Sequence, residues 1–293
     1  MFTGVPGDRA SNQADLATSL LVGTRFDNVR WVAETGSTNS DAMASARDGA
    51  PEGVVVVADH QRAGRGRLGR TWTAPPGASL LVSVLLRPPA GVVGAVGMAV
   101  GLAMAEAVEE LTGVAAGLKW PNDLLVDDRG AGRGADRKLA GILAEADWPA
   151  GTTASSGWRA PRDDERMVVV VGVGINVNWP ASLPDELAET ATALNHVVGH
   201  DVDRTELLVA FLRRLDGHYG SLVEARSAAA SGLLDAWRSR SATLGRRVRV
   251  DLGAGDVEGT AVDVTAEGHL VVETAEGERR TFAAGDVVHL RPR

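Results

Sequence analysis

The sequence predicts an α+β protein built from a large domain of strands and helices followed by a small antiparallel β-barrel. Apolar runs rich in Val and Leu at residues 79–86 and 167–173 are typical of buried strands. Apolar residues at helical spacing over residues 92–111 and 203–226 predict two long helices. From residue 244 onward, short alternating strands are separated by Gly, Asp and Glu, a pattern typical of a small barrel.

The remaining elements follow in order along the chain. Residues 1–14 are rich in Gly, Pro, Asp and Asn, and we expect a disordered tail there. The large domain, residues 15–243, is predicted to contain a helix at 14–25, strands at 29–34 and 54–58 around a helix at 41–47, strands at 124–126 and 138–145, and a last helix at 233–240. The barrel, residues 244–293, is predicted to take its strands from 248–252, 257–264, 269–273, 279–282 and 287–290. Turn-forming composition predicts exposed loops at 127–137 and 147–166.

The composition excludes several classes of function. The 293-residue chain is 44% hydrophobic and 23% charged, which is typical of a globular protein, and its net charge of −8 opposes nucleic-acid binding. Without cysteine there is no thiolate nucleophile, disulfide or Cys-ligated zinc, and the six histidines lack zinc-site spacing. No apolar run reaches about 18 residues, and the N-terminus lacks a signal-peptide core. We therefore expect a cytoplasmic protein with no membrane partner.

Residues 64–72, Gly-Arg-Gly-Arg-Leu-Gly-Arg-Thr-Trp, form a segment that we call the basic loop. It contains three glycines and three arginines within seven residues, and such a segment can bring backbone N–H groups and guanidinium groups close to an anion. Its glycines match the dinucleotide-binding pattern. However, five residues separate them from the preceding strand, prolines follow, and no carboxylate stands about 20 residues later. A dinucleotide site is therefore rejected, and a solvated turn, an RNA-binding segment or an anion-binding loop remain.

Two further segments combine polar or charged side chains with predicted element ends. Ser37, Thr38 and Asn39 precede a helix, and they supply more capping groups than one helix end requires, which suggests a polar ligand there. Residues 117–123 place Lys119 and Asp123 beside Pro121, which favours a turn at the entrance to a strand.

Taken in order, residues 37–39, Gln61, the basic loop and residues 119–123, 138–142 and 172–178 closely resemble the biotin–protein ligases, also called biotin–[acetyl-CoA-carboxylase] ligases. The resemblance covers about residues 29–293. It implies a mixed sheet with helices, related to class II aminoacyl-tRNA synthetases, and a C-terminal SH3-like barrel. It also implies a reaction in which biotin and ATP, with Mg²⁺, give biotinyl-5′-AMP and pyrophosphate. A lysine of a biotin carboxyl carrier domain then takes the biotinyl group.

The resemblance also implies roles for individual residues. Lys138 is assigned to the junction of carboxylate and phosphate, Arg67 to the lid over the adenylate, and Asp123 to the incoming lysine or, indirectly, to Mg²⁺; no residue is assigned as a direct metal ligand. Residues expected to contact biotin or the adenylate are Ser37, Thr38, Asn39, Gln61, Gly64, Arg65, Gly66, Arg67, Trp72, Lys119, Asn122, Lys138, Gly141, Gly174, Asn176 and Asn178. Trp72 and Trp120 are expected in the pocket wall or the core.

The alternatives are a ligase for another acyl cofactor, such as lipoate, and a nucleic-acid-binding module that uses the arginines of the basic loop. One tyrosine and four phenylalanines are few for a base-stacking surface. Some members of the resembled family carry an N-terminal DNA-binding domain, whereas about 28 residues precede the first predicted strand here. We therefore expect a monofunctional enzyme, monomeric or weakly dimeric, with no DNA partner.

Overall fold

Seven strands of the larger domain form one mixed sheet. They are β1 (Asn28–Thr35), β2 (Val54–Gln61), β3 (Ser79–Leu86), β4 (Ala116–Lys119), β5 (Asp123–Asp127), β6 (Asp136–Asp147) and β7 (Val168–Asn176), in the spatial order β1-β2-β3-β7-β6-β5-β4. β1 and β2 run parallel, and the other neighbouring pairs are antiparallel. The structure is a computed structural model that describes residues 6–127, 136–147, 161–180, 182–253 and 255–290. The predicted mixed sheet is confirmed.

Helices cover both faces of this sheet. They are α1 (Pro6–Leu20), α2 (Thr38–Arg47), α3 (Val93–Thr112), α4 (Asp185–Ala188), α5 (Leu194–Val198), α6 (Arg204–Ala225) and α7 (Leu233–Ser239). In β2, Val55 and Val57 belong to the large core that includes α3 and α6, whereas Val54 and Val56 pack with Ala42 of α2. Because successive side chains of a strand point to opposite faces, a strand covered on both faces is apolar throughout.

Helix α3 is the long apolar helix that the sequence predicts. Within Ala90–Thr112, an 18-residue window has a mean hydropathy of 1.8, and 72% of that window is buried. The helix packs against α6 and against strands of the seven-stranded sheet. Its apolar character is therefore explained by its place in the core.

Five antiparallel strands form a second, smaller sheet. They are β8 (Arg247–Asp251), β9 (Asp256–Val264), β10 (Leu270–Glu273), β11 (Arg279–Phe282) and β12 (Asp286–His289), in the order β11-β10-β9-β8-β12. The β9–β10 turn packs on α3, where a Cβ at Gly94 would lie only 2.6 Å from the Glu267 carbonyl oxygen. The Trp120 indole also donates to the Gly268 carbonyl, at 2.9 Å. The boundary at residues 243/244 stays a prediction.

The predicted disordered tail at residues 1–14 is wrong for residues 6–14, which belong to helix α1. Ala10 and Ala17 of this helix are buried, and Ala14 packs against the same core. Of the predicted loop at 127–137, residues 136 and 137 belong to β6, and residues 128–135 lie outside the described part of the chain. Residues 148–160 of the second predicted loop also lie outside it.

Candidate active site

A cavity of about 450 Å³ opens between the seven-stranded sheet and the five-stranded sheet. Its volume is typical of a site for a small organic ligand. Most residues predicted for the site lie in its wall: Ser37, Thr38, Asn39, Gln61, Arg65, Gly66, Arg67, Trp72, Lys119, Asn122, Asp123, Lys138, Gly141, Gly174 and Asn176. Segments that are far apart in the sequence therefore converge on one site.

The polar cluster at residues 37–39 lies beside Gln61. Parallel pairing of β1 and β2 aligns Thr35 with Gln61, so the segments that follow these two strands meet. The Gln61 side-chain oxygen accepts hydrogen bonds from the Thr38 backbone N–H, at 2.8 Å, and from the Thr38 hydroxyl, at 3.0 Å. Ser37 is the N-cap residue of α2, but its hydroxyl makes no capping bond. That hydroxyl is therefore available to a ligand.

The Asn39 amide is fixed in orientation by its neighbours. Its nitrogen donates to the Leu143 carbonyl, at 3.2 Å, and to the Glu145 carboxylate, at 2.8 Å. Its oxygen lies 2.6 Å from the hydroxyl of Ser83, which is also 2.7 Å from the Thr38 hydroxyl. Because a carbonyl and a carboxylate only accept hydrogen bonds, the amide nitrogen must face them.

Gly172 of β7 leaves the space that the Asn39 side chain occupies. A Cβ at this position would lie 2.1 Å from the Asn39 side-chain oxygen. We therefore expect Gly172→Ala to displace that amide and to weaken the binding of biotin, the ligand that the resemblance implies, by about 10- to 50-fold, since a lost buried hydrogen bond costs ~1–3 kcal/mol. Calorimetric titration measures the change. Gly217→Ala is the matched control, because nothing lies within 4 Å of its Cβ position. Unchanged affinity in Gly172→Ala would contradict the prediction.

The basic loop forms a short hairpin beside the cavity. The Gly66 N–H donates to the Arg70 carbonyl, at 2.7 Å, and the Trp72 N–H donates to the Gly64 carbonyl, at 3.0 Å. A Cβ at Gly64 would lie 2.4 Å from the Trp72 carbonyl oxygen, which explains the glycine. At the tip, Leu68 has a left-handed backbone with φ of 55°. The hairpin tip contains one 3-10 turn, Arg67–Gly69, and no α-helix begins between β2 and β3, so the context that a dinucleotide site requires is not found in this described segment.

Two arginines of the basic loop reach the five-stranded sheet. Arg70 forms an ion pair with Asp286 of β12. Arg67 donates to the Gly285 carbonyl, at 3.2 Å, and to the Asn122 side-chain oxygen, at 3.1 Å. Burial lowers the pKa of the Arg67 guanidinium, and the nearby Asp286 carboxylate opposes that change. The loop therefore connects the two sheets across one side of the cavity.

Both lysines of the chain, Lys119 and Lys138, lie in the cavity wall. The Lys138 ammonium is 2.6 Å from a carboxylate oxygen of Asp123, which is paired with Gly141 across β5 and β6. Burial lowers the pKa of the Lys119 ammonium, while Asp123 raises it. Asp123 is the first residue of β5. If the Lys138–Asp123 ion pair separates, the Lys138 ammonium can bind a phosphate group instead.

Trp72 lies in the cavity wall, where its ring packs on two glycines. A Cβ at Gly174 would lie 2.6 Å from the ring, and one at Gly141 would lie 3.1 Å from it. The Lys138 ammonium is 5.8 Å from the ring centroid. Trp120 also borders the cavity but is 3% exposed. The sequence did not distinguish between the pocket wall and the core for either tryptophan. In the structure Trp72 lies in the cavity wall, and Trp120 belongs to the hydrophobic core and borders the cavity.

Two predicted residues are not brought to the cavity. Gly64 lies at the base of the hairpin, and the Asn178 amide bonds to Val202, donating to its carbonyl and accepting from its N–H, both at 2.8 Å. Asn176 borders the cavity, but its amide nitrogen donates to the Thr192 carbonyl, at 3.0 Å. The Asn178 amide therefore makes structural contacts away from the cavity, whereas Asn176 lies in the cavity wall and its contact with a ligand stays a prediction.

Sequence reasoning missed Asp286, Ser83 and Glu145. Asp286 borders the cavity from the five-stranded sheet, 216 residues beyond its partner Arg70. Ser83 lies within an apolar strand, where a single hydroxyl is easily assigned to the core. Glu145 ends the strand predicted at residues 138–145, but nothing in its spacing indicates Asn39 as a partner.

Comparison with known proteins gives consistent matches. Residues 35–153 match the Biotin/lipoate A/B protein ligase family, and residues 243–290 match the Biotin protein ligase C terminal domain. The chain is 40% identical over 277 residues to a biotin–[acetyl-CoA-carboxylase] ligase of Mycobacterium tuberculosis, covering 92% of this chain and 91% of that protein. It is 31% identical to the bifunctional ligase/repressor BirA of Bacillus subtilis, covering 85% of this chain and 70% of that protein.

The solved structures agree with these relatives. A biotin protein ligase from Aquifex aeolicus in complex with biotin and ATP has a TM-score of 0.70 and 29% identity, and the match covers 91% of this chain and 100% of that one. The predicted fold, an α+β domain followed by an SH3-like domain, is confirmed.

Proposed function

Since the chain belongs to the biotin protein ligase family, we propose that it activates biotin with ATP and transfers the biotinyl group to a lysine of a biotin carboxyl carrier domain. The observation that supports this most is the division of a single cavity into two chemical regions. Ser37 lies beside the hydrogen-bonded Thr38 and Gln61 in one part of the wall, which we call the neutral region. The other part, the cationic region, contains Lys138 paired with Asp123 and Arg67 bonded to Asn122. Biotin has the same division, with a neutral ureido ring and a carboxylate.

The neutral region suits the ureido ring. The ring offers two N–H donors and a carbonyl acceptor, so it requires both acceptors and donors from the protein. The Ser37 hydroxyl can supply either, and the Thr38, Asn39 and Gln61 side chains are held beside it by the hydrogen bonds described above. This preorganisation lowers the cost of ordering the site when the ligand binds.

The cationic region suits the first chemical step. Five Arg or Lys side chains and two carboxylates border the cavity within the described residues: Arg65, Arg67, Arg70, Lys119, Lys138, Asp123 and Asp286. A biotin carboxylate oxygen bonds to the α-phosphorus of ATP, the bond to the β-phosphate oxygen breaks, and pyrophosphate leaves. The reactants are both anions, so fixed cations bring them together and stabilise the added charge of the transition state. We assign Lys138 to the carboxylate and α-phosphate.

The second step transfers the acyl group. The neutral amine of the carrier lysine attacks the biotinyl carbonyl, an amide forms, the bond to the phosphate oxygen breaks, and AMP leaves. The amine must lose a proton during this step, and Asp123 is the carboxylate placed beside Lys138 at the reacting end. We assign Asp123 to orienting the incoming amine and accepting its proton.

Mg²⁺ enters as part of the ATP substrate. Among the residues that the structure describes, no three His, Asp or Glu side chains lie close enough together to hold a metal ion. The acids of the cavity wall, Asp123 and Asp286, are both paired with cations. These residues fit an ion that is bound mainly by the phosphates, which would neutralise charge on the leaving pyrophosphate. The proposed setting is the cytoplasm, where ATP and carboxylase carrier domains are available.

The proposal is tested by measuring pyrophosphate release with ATP and Mg²⁺ in the presence of biotin, lipoate or no acid. Of the three conditions, we expect pyrophosphate release only in the one that contains biotin. Biotin should then become attached to a purified carrier domain and not to the variant in which the acceptor lysine of that domain is replaced by arginine. Release with lipoate but not with biotin would overturn the proposal. Since the chain contains two lysines, both in the cavity wall, mass spectrometry readily separates labelling of the carrier from labelling of the enzyme.

A further inference from the structure

We propose that Glu145 is a positioning residue that couples Asn39, in the neutral region of the cavity, to Arg65 of the basic loop. The inference rests on the proposed function, because biotin is the ligand whose binding it concerns. It adds a residue that is outside the cavity wall itself. Glu145 lies near the end of β6, and its side chain is 31% exposed.

One carboxylate oxygen of Glu145 makes both contacts. The Asn39 amide nitrogen donates to it at 2.8 Å, and the Arg65 guanidinium donates to the same oxygen at 2.8 Å. Asn39 and Arg65 have no direct hydrogen bond between them in the described structure, and the Glu145 carboxylate bonds both side chains. A charged acceptor strengthens both hydrogen bonds relative to a neutral one.

The bond to Asn39 determines which end of its amide faces the cavity. An acceptor at Glu145 keeps the amide nitrogen on the β6 side and the amide oxygen toward Ser83, as observed. Without Glu145, the Leu143 carbonyl would be the remaining acceptor, at the longer distance of 3.2 Å. An amide that rotates would present the wrong groups to a ureido ring, since donors and acceptors would be exchanged.

The bond to Arg65 determines where the first arm of the basic loop lies. Arg65 forms an isolated bridge with Thr71 across the hairpin, so its position also affects the second arm. Its other side-chain contact is a hydrogen bond of 3.2 Å to the Ser40 hydroxyl. Ser40 belongs to α2, the helix that carries Asn39. Arg65 therefore reaches α2 through the Ser40 hydroxyl as well as through Glu145, but only the Glu145 oxygen bonds the side chains of both Asn39 and Arg65.

A double-mutant cycle tests the coupling. We expect Asn39→Ala and Arg65→Ala to weaken biotin binding non-additively, with the combined effect departing from the product of the single effects by about 3- to 10-fold, as is typical of residues in one network. In the Glu145→Ala background the same two substitutions should act independently. Equilibrium dialysis with labelled biotin measures all eight proteins, including at weak affinities.

Conservative and control variants separate positioning from stability. Glu145→Gln retains an acceptor oxygen at the same distance along the side chain, so we expect it to lose about 3-fold in biotin affinity, where Glu145→Ala loses about 20-fold. Because biotin-binding geometry is altered and Lys138 is untouched, KM for biotin should rise more than kcat falls. Glu34→Ala, which removes a carboxylate that pairs with His60 and Arg62 away from the cavity, should leave both unchanged.

The outcomes are distinct. If the wild-type protein binds biotin but the Asn39 and Arg65 substitutions are additive, or their coupling persists in Glu145→Ala, the positioning role is overturned and the proposed function stands. If the wild-type protein does not bind biotin, the proposed function fails, and this inference fails with it. Thermal unfolding of each variant shows whether a loss of affinity follows from unfolding. If Glu145→Ala is unfolded, the biotin affinity of Glu145→Gln tests the positioning role instead.

Discussion

Lys138→Ala should form biotinyl-AMP about 1,000-fold more slowly than the wild-type protein, because removal of one fixed group that stabilises transition-state charge costs about 100- to 1,000-fold in kcat and Lys138 also brings the two anions together. Its ammonium lies 2.6 Å from Asp123, beside Trp72 and Gly141 in the cavity wall. The hydrogen bonds between Thr38 and Gln61 in the neutral region do not involve Lys138. Biotin binding should therefore stay measurable while adenylation is lost.

Single-turnover pyrophosphate release measures adenylation, and calorimetry measures biotin binding separately. Lys138→Arg retains a cation but changes its shape and reach, so we expect an intermediate rate. Arg62→Ala removes a cation that precedes the basic loop, is 69% exposed and pairs with Glu34, and it should leave the rate unchanged. Wild-type turnover in Lys138→Ala would refute the role assigned to Lys138.

The features that could be predicted from the sequence are those determined by local pattern. The valines of β2 and the apolar spacing of α3 predict a strand and a helix directly, because burial selects for them. The surplus of polar groups at Ser37, Thr38 and Asn39 predicts a ligand near the start of α2, and the structure shows the Ser37 hydroxyl without a capping bond. These predictions need no information on distant contacts.

Features that depend on distant contacts could not be predicted. Asp286 contacts Arg70 across 216 residues, and no local pattern around β12 indicates that partner. Asn178 follows an apolar strand, a position typical of ligand-binding residues. However, its side-chain amide forms two hydrogen bonds with the backbone of Val202.

Helix α1 shows a different kind of error, in which composition outweighed spacing. The composition of residues 1–14 favours disorder, but Ala10 lies at helical spacing from Ala14 and Ala17 and faces the same core. An alanine side chain is a single methyl group, so a helix that packs through alanines resembles a polar segment in composition even where its periodicity is clear.

The second large effect concerns Arg67. This residue connects the basic loop to Asn122 of the β4–β5 turn and to Gly285, which precedes β12, and its guanidinium lies 3.9 Å from the Asp286 carboxylate. The Arg67 side chain is 21% exposed, so we place its loss at the lower end of the ~2–5 kcal/mol that removing one partner of a buried, hydrogen-bonded charge costs. We therefore expect Arg67→Gly to release bound biotinyl-AMP about 30- to 150-fold faster, mainly through the dissociation rate. Glycine also loosens the hairpin by enlarging the conformational freedom of its tip.

Release of the adenylate has a chemical consequence that makes this effect easy to measure. Biotinyl-AMP free in solution acylates amines without selection, so Arg67→Gly should biotinylate a lysine-rich bystander protein that the wild-type enzyme leaves unlabelled. Asp286→Asn keeps the shape of the Arg67 and Arg70 partner while removing its charge, and it should give a smaller increase in release. Arg249→Ala, which removes an ion pair with Asp256 elsewhere on the five-stranded sheet, is the matched control. A wild-type lifetime of the adenylate on Arg67→Gly would show that the loop retains its product without this contact between the two sheets.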